Sequence, residues 1–229
     1  MTKPSREDAV YSKLRQAIIE QALRPGTKLP EDTIGESFKV SRTIARAALA
    51  RLAAEGLVEL RRNRGAAVAS PSLSEARDVF AVRRQLEALV VEDLAGRLTP
   101  EQVEALEAHV QREDSAHGRD GPESIRLAGE FHLLLARYTG NQLLQRYVGE
   151  VTSRCSLILA LYGRAHSSEC AVNEHRELIR ALRQGDRKKA VELMGHHLGA
   201  IQDRAFIRQA AQPPALKDVL ASYGDAKAS

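Results

Sequence analysis

After Ser41, apolar residues recur at Ile44, Ala48, Leu49 and Leu52, three and four apart, and this spacing admits only a short helix with one buried face. Ser41 stands where a helix takes its N-cap. Arg42, Thr43 and Arg46 are left pointing outward from the first turns. Such side chains at the exposed start of a short helix suit phosphate and base-edge contacts in a DNA major groove. The alternative for this segment taken alone is an amphipathic surface helix with solvated arginines.

The flanking sequence favours the first reading. Glu31 to Phe38 is a short helix with Ile34 and Phe38 on one side, and Lys39-Val40 turns tightly into Ser41, which gives a two-helix DNA-binding unit. Val58-Glu59-Leu60 and Ala66-Ala67-Val68 alternate like short strands around a basic tip, Arg61-Arg62-Asn63-Arg64-Gly65. Gly65 can take a positive φ there. Val10, Leu14, Ala17 and Ile18 mark a supporting helix that ends before Pro25-Gly26. Residues 7–69 therefore read as a winged helix-turn-helix, with Ser41, Arg42, Thr43 and Arg46 on the reading helix and Arg62, Arg64 and Gly65 in the wing as candidate DNA contacts.

This segment resembles the GntR family of bacterial transcription regulators. The resemblance is carried by Leu23-Arg24-Pro25-Gly26-Thr27-Lys28-Leu29, Val40-Ser41-Arg42-Thr43 with Arg46, and Glu55-Gly56-Leu57-Val58. The chain departs from the family pattern at Ile44, Ala45 and Ala47, changes that bear on packing and operator preference. Asp32 stands where relatives often carry a basic or amide residue that touches DNA.

Charge divides the chain in the same way. Residues 1–70 carry 13 Lys and Arg against 8 Asp and Glu, whereas residues 71–229 carry 21 against 22. A basic module joined to a nearly neutral one suits a polyanion-binding head with a separate sensing or assembly domain, and 229 residues suffice for two domains. No stretch approaches the roughly 20 apolar residues of a membrane span, and Met1-Thr2-Lys3-Pro4 leads into polar sequence without a signal-peptide core, so a cytoplasmic protein is expected. Cys155 and Cys170 lack CxxC spacing and read as packing residues.

Residues 70–75, Ser-Pro-Ser-Leu-Ser-Glu, read as a linker, with Ser74 a candidate cap. Beyond it the periodicity predicts helices near 74–96, 100–116, 122–138, 141–162, 168–184 and 186–209, and the expected fold is mostly α: a winged helix-turn-helix followed by an antiparallel helical bundle over 76–209. Residues 210–229 are expected to form a loose tail.

Three bundle histidines share apolar faces: His132 with Ile125, Ala128 and Leu135; His175 with Val172, Leu178, Ile179 and Leu182; His197 with Leu193, Ala200 and Ile201. One such histidine is most often a hydrogen-bonded core residue, but three on separate helices suit nitrogen ligation of zinc or a similar divalent metal. His109, His117, His166 and His196 lack this pattern and read as surface residues. Arg83, in line with Val79, Leu86 and Val90, and Arg154, in line with Val151, Leu157, Ile158 and Leu161, also point inward by this reading. A buried guanidinium needs an anion: either an acidic effector or an internal partner such as Glu87. Asn141 reads as a helix cap.

Residues 73–205 resemble the FCD effector-binding domain of the FadR branch of the GntR family, through Val82-Arg83 with Leu86-Glu87, Phe131-His132, Gly140-Asn141, Glu174-His175-Arg176 and His197-Leu198. The resemblance implies a homodimer, a small organic acid as effector, and a divalent metal of the Zn or Ni type held by His132, His175 and His197; Arg83 and Arg154, from their inward-facing positions, are the candidate contacts for that acid. Many members add an Asp four residues before the first histidine; here that position is Ala128, and Glu130, two residues back, lies on the opposite face. The expected function is a regulator, a repressor in this reading, that binds a pseudo-palindromic operator in double-stranded DNA under effector control. Two rivals are a metal-dependent hydrolase using the three histidines, against which no His-Glu-x-x-His motif or paired nucleophile stands in the chain, and an architectural DNA binder whose helical domain only dimerises.

Overall fold

A computed structural model describes residues 5–61, 65–116, 122–162 and 169–206. Arg62, Arg64, His117, His166 and the expected tail from residue 210 lie outside the described residues, as does the side chain of Cys170.

The winged helix-turn-helix forms as its signals direct. Helix α1 (Arg6–Ile19) starts at a capping box in which the Ser5 hydroxyl accepts from the Asp8 amide and the Asp8 carboxylate accepts from Ser5. Helix α2 (Glu31–Phe38) ends at Lys39, whose left-handed φ of 53° turns the chain into Ser41. Ser41 caps α3 (Arg42–Ala54), accepting from the Ile44 amide at 3.4 Å. Strands β1 (Val58–Arg61) and β2 (Gly65–Val68) pair antiparallel with Val58 opposite Val68, and Lys28 bridges to Ala67 on the other edge. Val10, Leu14, Ile18, Ile34, Leu49, Leu52, Leu57 and Val68 form the core of this unit.

The second domain is helical throughout its described residues: α4 (Leu73–Leu94), α5 (Pro100–Ser115), α6 (Pro122–Tyr138), α7 (Gln142–Tyr162), α8 (Glu169–Gln184) and α9 (Arg187–Phe206). Helix α4 packs on α6, α7 and α9, α5 on α6 and α8, and α8 on α9. The linker is shorter than expected at its far end. Ser72, not Ser74, caps α4, because Ser72 and Glu75 form a reciprocal capping box that starts the helix at Leu73. The Asn141 side chain caps α7 as expected, accepting from the Leu143 and Leu144 amides.

The DNA-binding unit rests on α6 and α7 through α1. Leu157 of α7 joins the core of the winged helix. Around it, Arg15 donates to the Ser153 hydroxyl at 2.8 Å, Arg126 of α6 donates to Glu20, the C-cap of α1, at 3.0 Å, and Tyr162 donates to the Pro71 carbonyl at 3.0 Å. Gly56, at φ +72°, presents a bare backbone to Arg154; a Cβ there would lie 2.3 Å from the guanidinium carbon. A cleft of about 880 Å³ remains between α1 and the α6–α7 pair, lined by Tyr11, Gln16, Gly129, Gln145 and Gly149 among others and by none of the three bundle histidines. No helix among the described residues is long and apolar enough to cross a membrane.

Leu157→Ala should therefore destabilise a domain in which residue 157 does not lie. A large-to-small change at a buried site costs about 2–5 kcal/mol. Hydrogen exchange should show the loss as faster amide exchange in α1 and α3, while α8 exchanges as before.

Candidate DNA interface and metal centre

At the DNA end, Ser41, Arg42, Thr43 and Arg46 are all exposed on the first turns of α3, and Gly65 has a φ of +75° at the start of β2. The two arginines are not idle. Arg46 forms a two-pronged pair with Glu31, both contacts at 2.8 Å, and Arg42 lies 3.0 Å from Asp32 and 4.0 Å from Glu31. The hydrogen bond from Arg46 is the main cause that holds the Glu31 carboxyl below its ordinary range. These acidic partners come from the first turn of α2, 15 and 10 residues away, so no helical periodicity within α3 could reveal them. In the wing, Arg61 pairs with Glu59 at 2.8 Å.

Within the bundle, His132 from α6, His175 from α8 and His197 from α9 converge, each at most 3% exposed. The Nε2 atoms of His175 and His197 are 3.3 Å apart, as are those of His197 and His132. Each Nδ1 meets a carboxylate: His175 to Glu113 at 2.9 Å, His197 to Glu174 at 2.6 Å, and His132 to Glu87. A carboxylate accepts only, so each neutral imidazole carries its proton on Nδ1 and turns the Nε2 lone pair inward. Three facing lone pairs repel unless a cation lies among them. The 3.3 Å separations also match the edge of a tetrahedron with metal–nitrogen bonds of about 2.0–2.1 Å. The donor set fits a divalent metal held by His132, His175 and His197, oriented by Glu87, Glu113 and Glu174.

Burial supports this state. Desolvation is the largest influence on His132 and lowers its pKa despite the pull of Glu87, which favours the neutral, metal-binding form. Burial alone would raise the Glu87 carboxyl, but the charge of Arg83, helped by the hydrogen bond that His132 donates, outweighs it and holds the carboxyl below its ordinary range. Ala128 contributes no donor, and Glu130 turns away to Arg126 at 2.7 Å.

Two arginines expected to face an effector are engaged elsewhere. Arg83 is buried and donates to Glu87 at 2.6 Å; burial opposes its charge, but Glu87 and the nearby Cys155 more than offset this, so Arg83 sits behind His132 as an internal partner. Arg154 is half-buried, pairs with Glu150 at 3.0 Å and covers Gly56, because the face of α7 that carries it meets the DNA-binding domain. His109, expected at the surface, is 3% exposed, with Nε2 2.9 Å from the Leu127 carbonyl and Nδ1 accepting from Arg112 at 3.1 Å. His196 is exposed, as expected.

Known proteins share both halves. Residues 6–68 match the bacterial regulatory proteins of the gntR family, and residues 78–200 match the FCD domain. A transcriptional regulator from an unstable DNA locus of Streptomyces ambofaciens is 30% identical over 195 residues, covering 85% of this chain and 82% of that protein. The transcriptional repressor RspR of Escherichia coli K12 is 26% identical over 205 residues, 89% of each chain. Among solved structures, Escherichia coli McbR/YncC superposes with a TM-score of 0.81 at 18% identity, covering 91% of this chain and all of that one, which is a likeness of fold. The chain belongs to the GntR family of bacterial transcription regulators and carries an FCD domain. These relatives give no support to the hydrolase or architectural readings.

Replacing Arg42 or Arg46 with Ala should weaken binding to a cognate duplex by about 1–3 kcal/mol each, measured by fluorescence anisotropy. For metal-free protein, His132 sets a pH dependence. Its folded pKa is depressed, so below the ordinary value of 6.5 the unfolded chain takes up the proton first, and the contribution present above that pH is lost as pH falls through the folded value. Melting temperature should drop from pH 7 to pH 5, and His132→Gln should flatten that drop.

Proposed function

We infer that this protein is a dimeric, metal-containing, ligand-responsive regulator, acting in the cytoplasm, that represses from a pseudo-palindromic operator and changes its DNA affinity when a small carboxylate binds. The observation that carries the reading is the convergence of three Nε2 lone pairs backed by three carboxylates. A bound divalent ion would supply a Lewis-acidic centre with only three protein ligands, leaving room for a carboxylate oxygen or water. His132, His175 and His197 hold the position, and the surrounding apolar core excludes bulk water from it.

Coupling to DNA has a physical route in α6. That helix carries His132 into the metal site, and its other face carries Arg126 to Glu20 of the DNA-binding domain. A ligand that shifts α6 differently in the DNA-bound and free states changes operator affinity, and by reciprocity the operator changes ligand affinity by the same factor. RspR is a repressor by name, which supports that sign for this chain. For the dimer, α4 leaves Val82 and Leu89, one heptad apart, half-exposed at its surface.

Elemental analysis of protein purified without chelator should find about one divalent ion per chain, and zinc or nickel should raise the melting temperature of chelated protein. Glu113→Gln, which weakens the hold on His175, should lower metal affinity about 10- to 100-fold. A protein that purifies metal-free and melts identically with either ion would overturn the metal reading. A thermal-shift screen of small organic acids with and without metal then identifies the effector, and calorimetry with and without operator must give different constants for it.

A further inference from the structure

The reading head is electrically neutral. Across residues 31–46, Lys39, Arg42 and Arg46 are matched by Glu31, Asp32 and Glu36, although residues 1–70 are strongly basic. The two arginines on the first turns of α3 already hold carboxylates, Arg46 with both oxygens of Glu31 and Arg42 with Asp32. These two acids differ in setting. The Glu31 side chain is 26% exposed, whereas Asp32 and Arg42 are 60% and 66% exposed and meet at the open surface. Asp32 makes no other ion pair among the described residues; besides placing a negative charge in the first turn of α2, it occupies Arg42.

We propose that Asp32 is a specificity-determining residue of the DNA interface: it competes with phosphate for Arg42, so that Arg42 is surrendered only to a base that offers two acceptors. The proposal rests on Arg42 and Arg46 as DNA-reading residues. A phosphate contact at the open surface gains Arg42 little more than Asp32 already supplies. A guanine edge, with O6 and N7 side by side, accepts both prongs of the guanidinium and is the commonest specific partner of arginine. Asp32 also places a negative charge beside the phosphates of any duplex docked on α3. Both effects penalise sequence-independent binding, which is driven by phosphate neutralisation, more than binding at a cognate site.

The test uses the full-length protein and two fluorescent duplexes, one of random sequence and one enriched from a randomised pool by the wild-type protein. Asp32→Asn should bind the random duplex about two- to tenfold more tightly and steepen its salt dependence by about 0.9 in log–log slope, the value for one further phosphate contact. The affinity ratio between enriched and random duplexes should fall. In an Arg42→Ala background the gain from Asp32→Asn should shrink to a small residue. Asp32 is exposed at the first turn of α2, so the variant should fold, and Asp32→Ser provides a second test of the same effect. Unchanged affinity and salt slope for both Asp32 variants, with Arg42→Ala still losing the enriched duplex, would overturn the proposal alone. A gain fully retained without Arg42 would also overturn it. Full binding by both Arg42→Ala and Arg46→Ala would overturn the DNA-reading assignment and the proposal together.

Discussion

Helix α7 has to satisfy three apolar neighbours at once, and the arrangement of both domains depends on that. Leu144 and Val148 enter the main bundle core, Cys155 and Ile158 pack with Phe80 of α4, and Leu157 crosses into the winged helix. At 100° per residue, adjacent positions such as 157 and 158 face well apart, so one regular helix can supply separate cores. Removing Leu157 from water ties the DNA-binding unit down more firmly than the polar contacts around it, since exposed or half-exposed ion pairs contribute little. The polar contacts from Arg15 and Arg126, with the Arg154 side chain packed over Gly56, instead specify the angle at which the unit sits.

The bundle core contains an unusual amount of charge for its size: Arg83, Glu87, Glu113 and three histidines are all buried. Each ion would be costly alone, and the chain Arg83 to Glu87 to His132 shows how the cost is offset by sequential pairing. Glu113 leaves one carboxylate oxygen without a hydrogen-bond partner among the described residues, beside His175. Such a network makes sense where it orients ligands toward a shared point; a core needing only stability would be better served by apolar residues.

Much of this architecture was legible because it is local. Caps at Ser41 and Asn141 and the apolar periods mark several of the helices. Ser74 does not cap α4 because the Ser72 to Glu75 spacing, hydroxyl and carboxylate three positions apart, forms the reciprocal capping box just before it. The three convergent histidines were also legible, since each follows its own apolar line. Their carboxylate partners were not, because 45 residues separate Glu87 from His132 and 62 separate Glu113 from His175. His109 had a usable sign: it stands three after Leu106 and four before Glu113, both buried. Arg154 misled because α7 is covered on more than one side, so an inward line on that helix does not say which core lies inward.

Between Val68 at the end of the wing and Leu73 at the start of α4 lie only four residues, and Tyr162 holds the Pro71 carbonyl among them. A tether that short spans at most about 14 Å when fully extended. It keeps each domain at a high effective concentration for the other, so contacts too weak to join separate molecules stay formed here. With Ala69 also bonded to the Leu57 carbonyl, the tether leaves the DNA-binding unit little freedom of distance from the bundle, so under the proposed regulation a change of operator affinity would have to come from a change of angle.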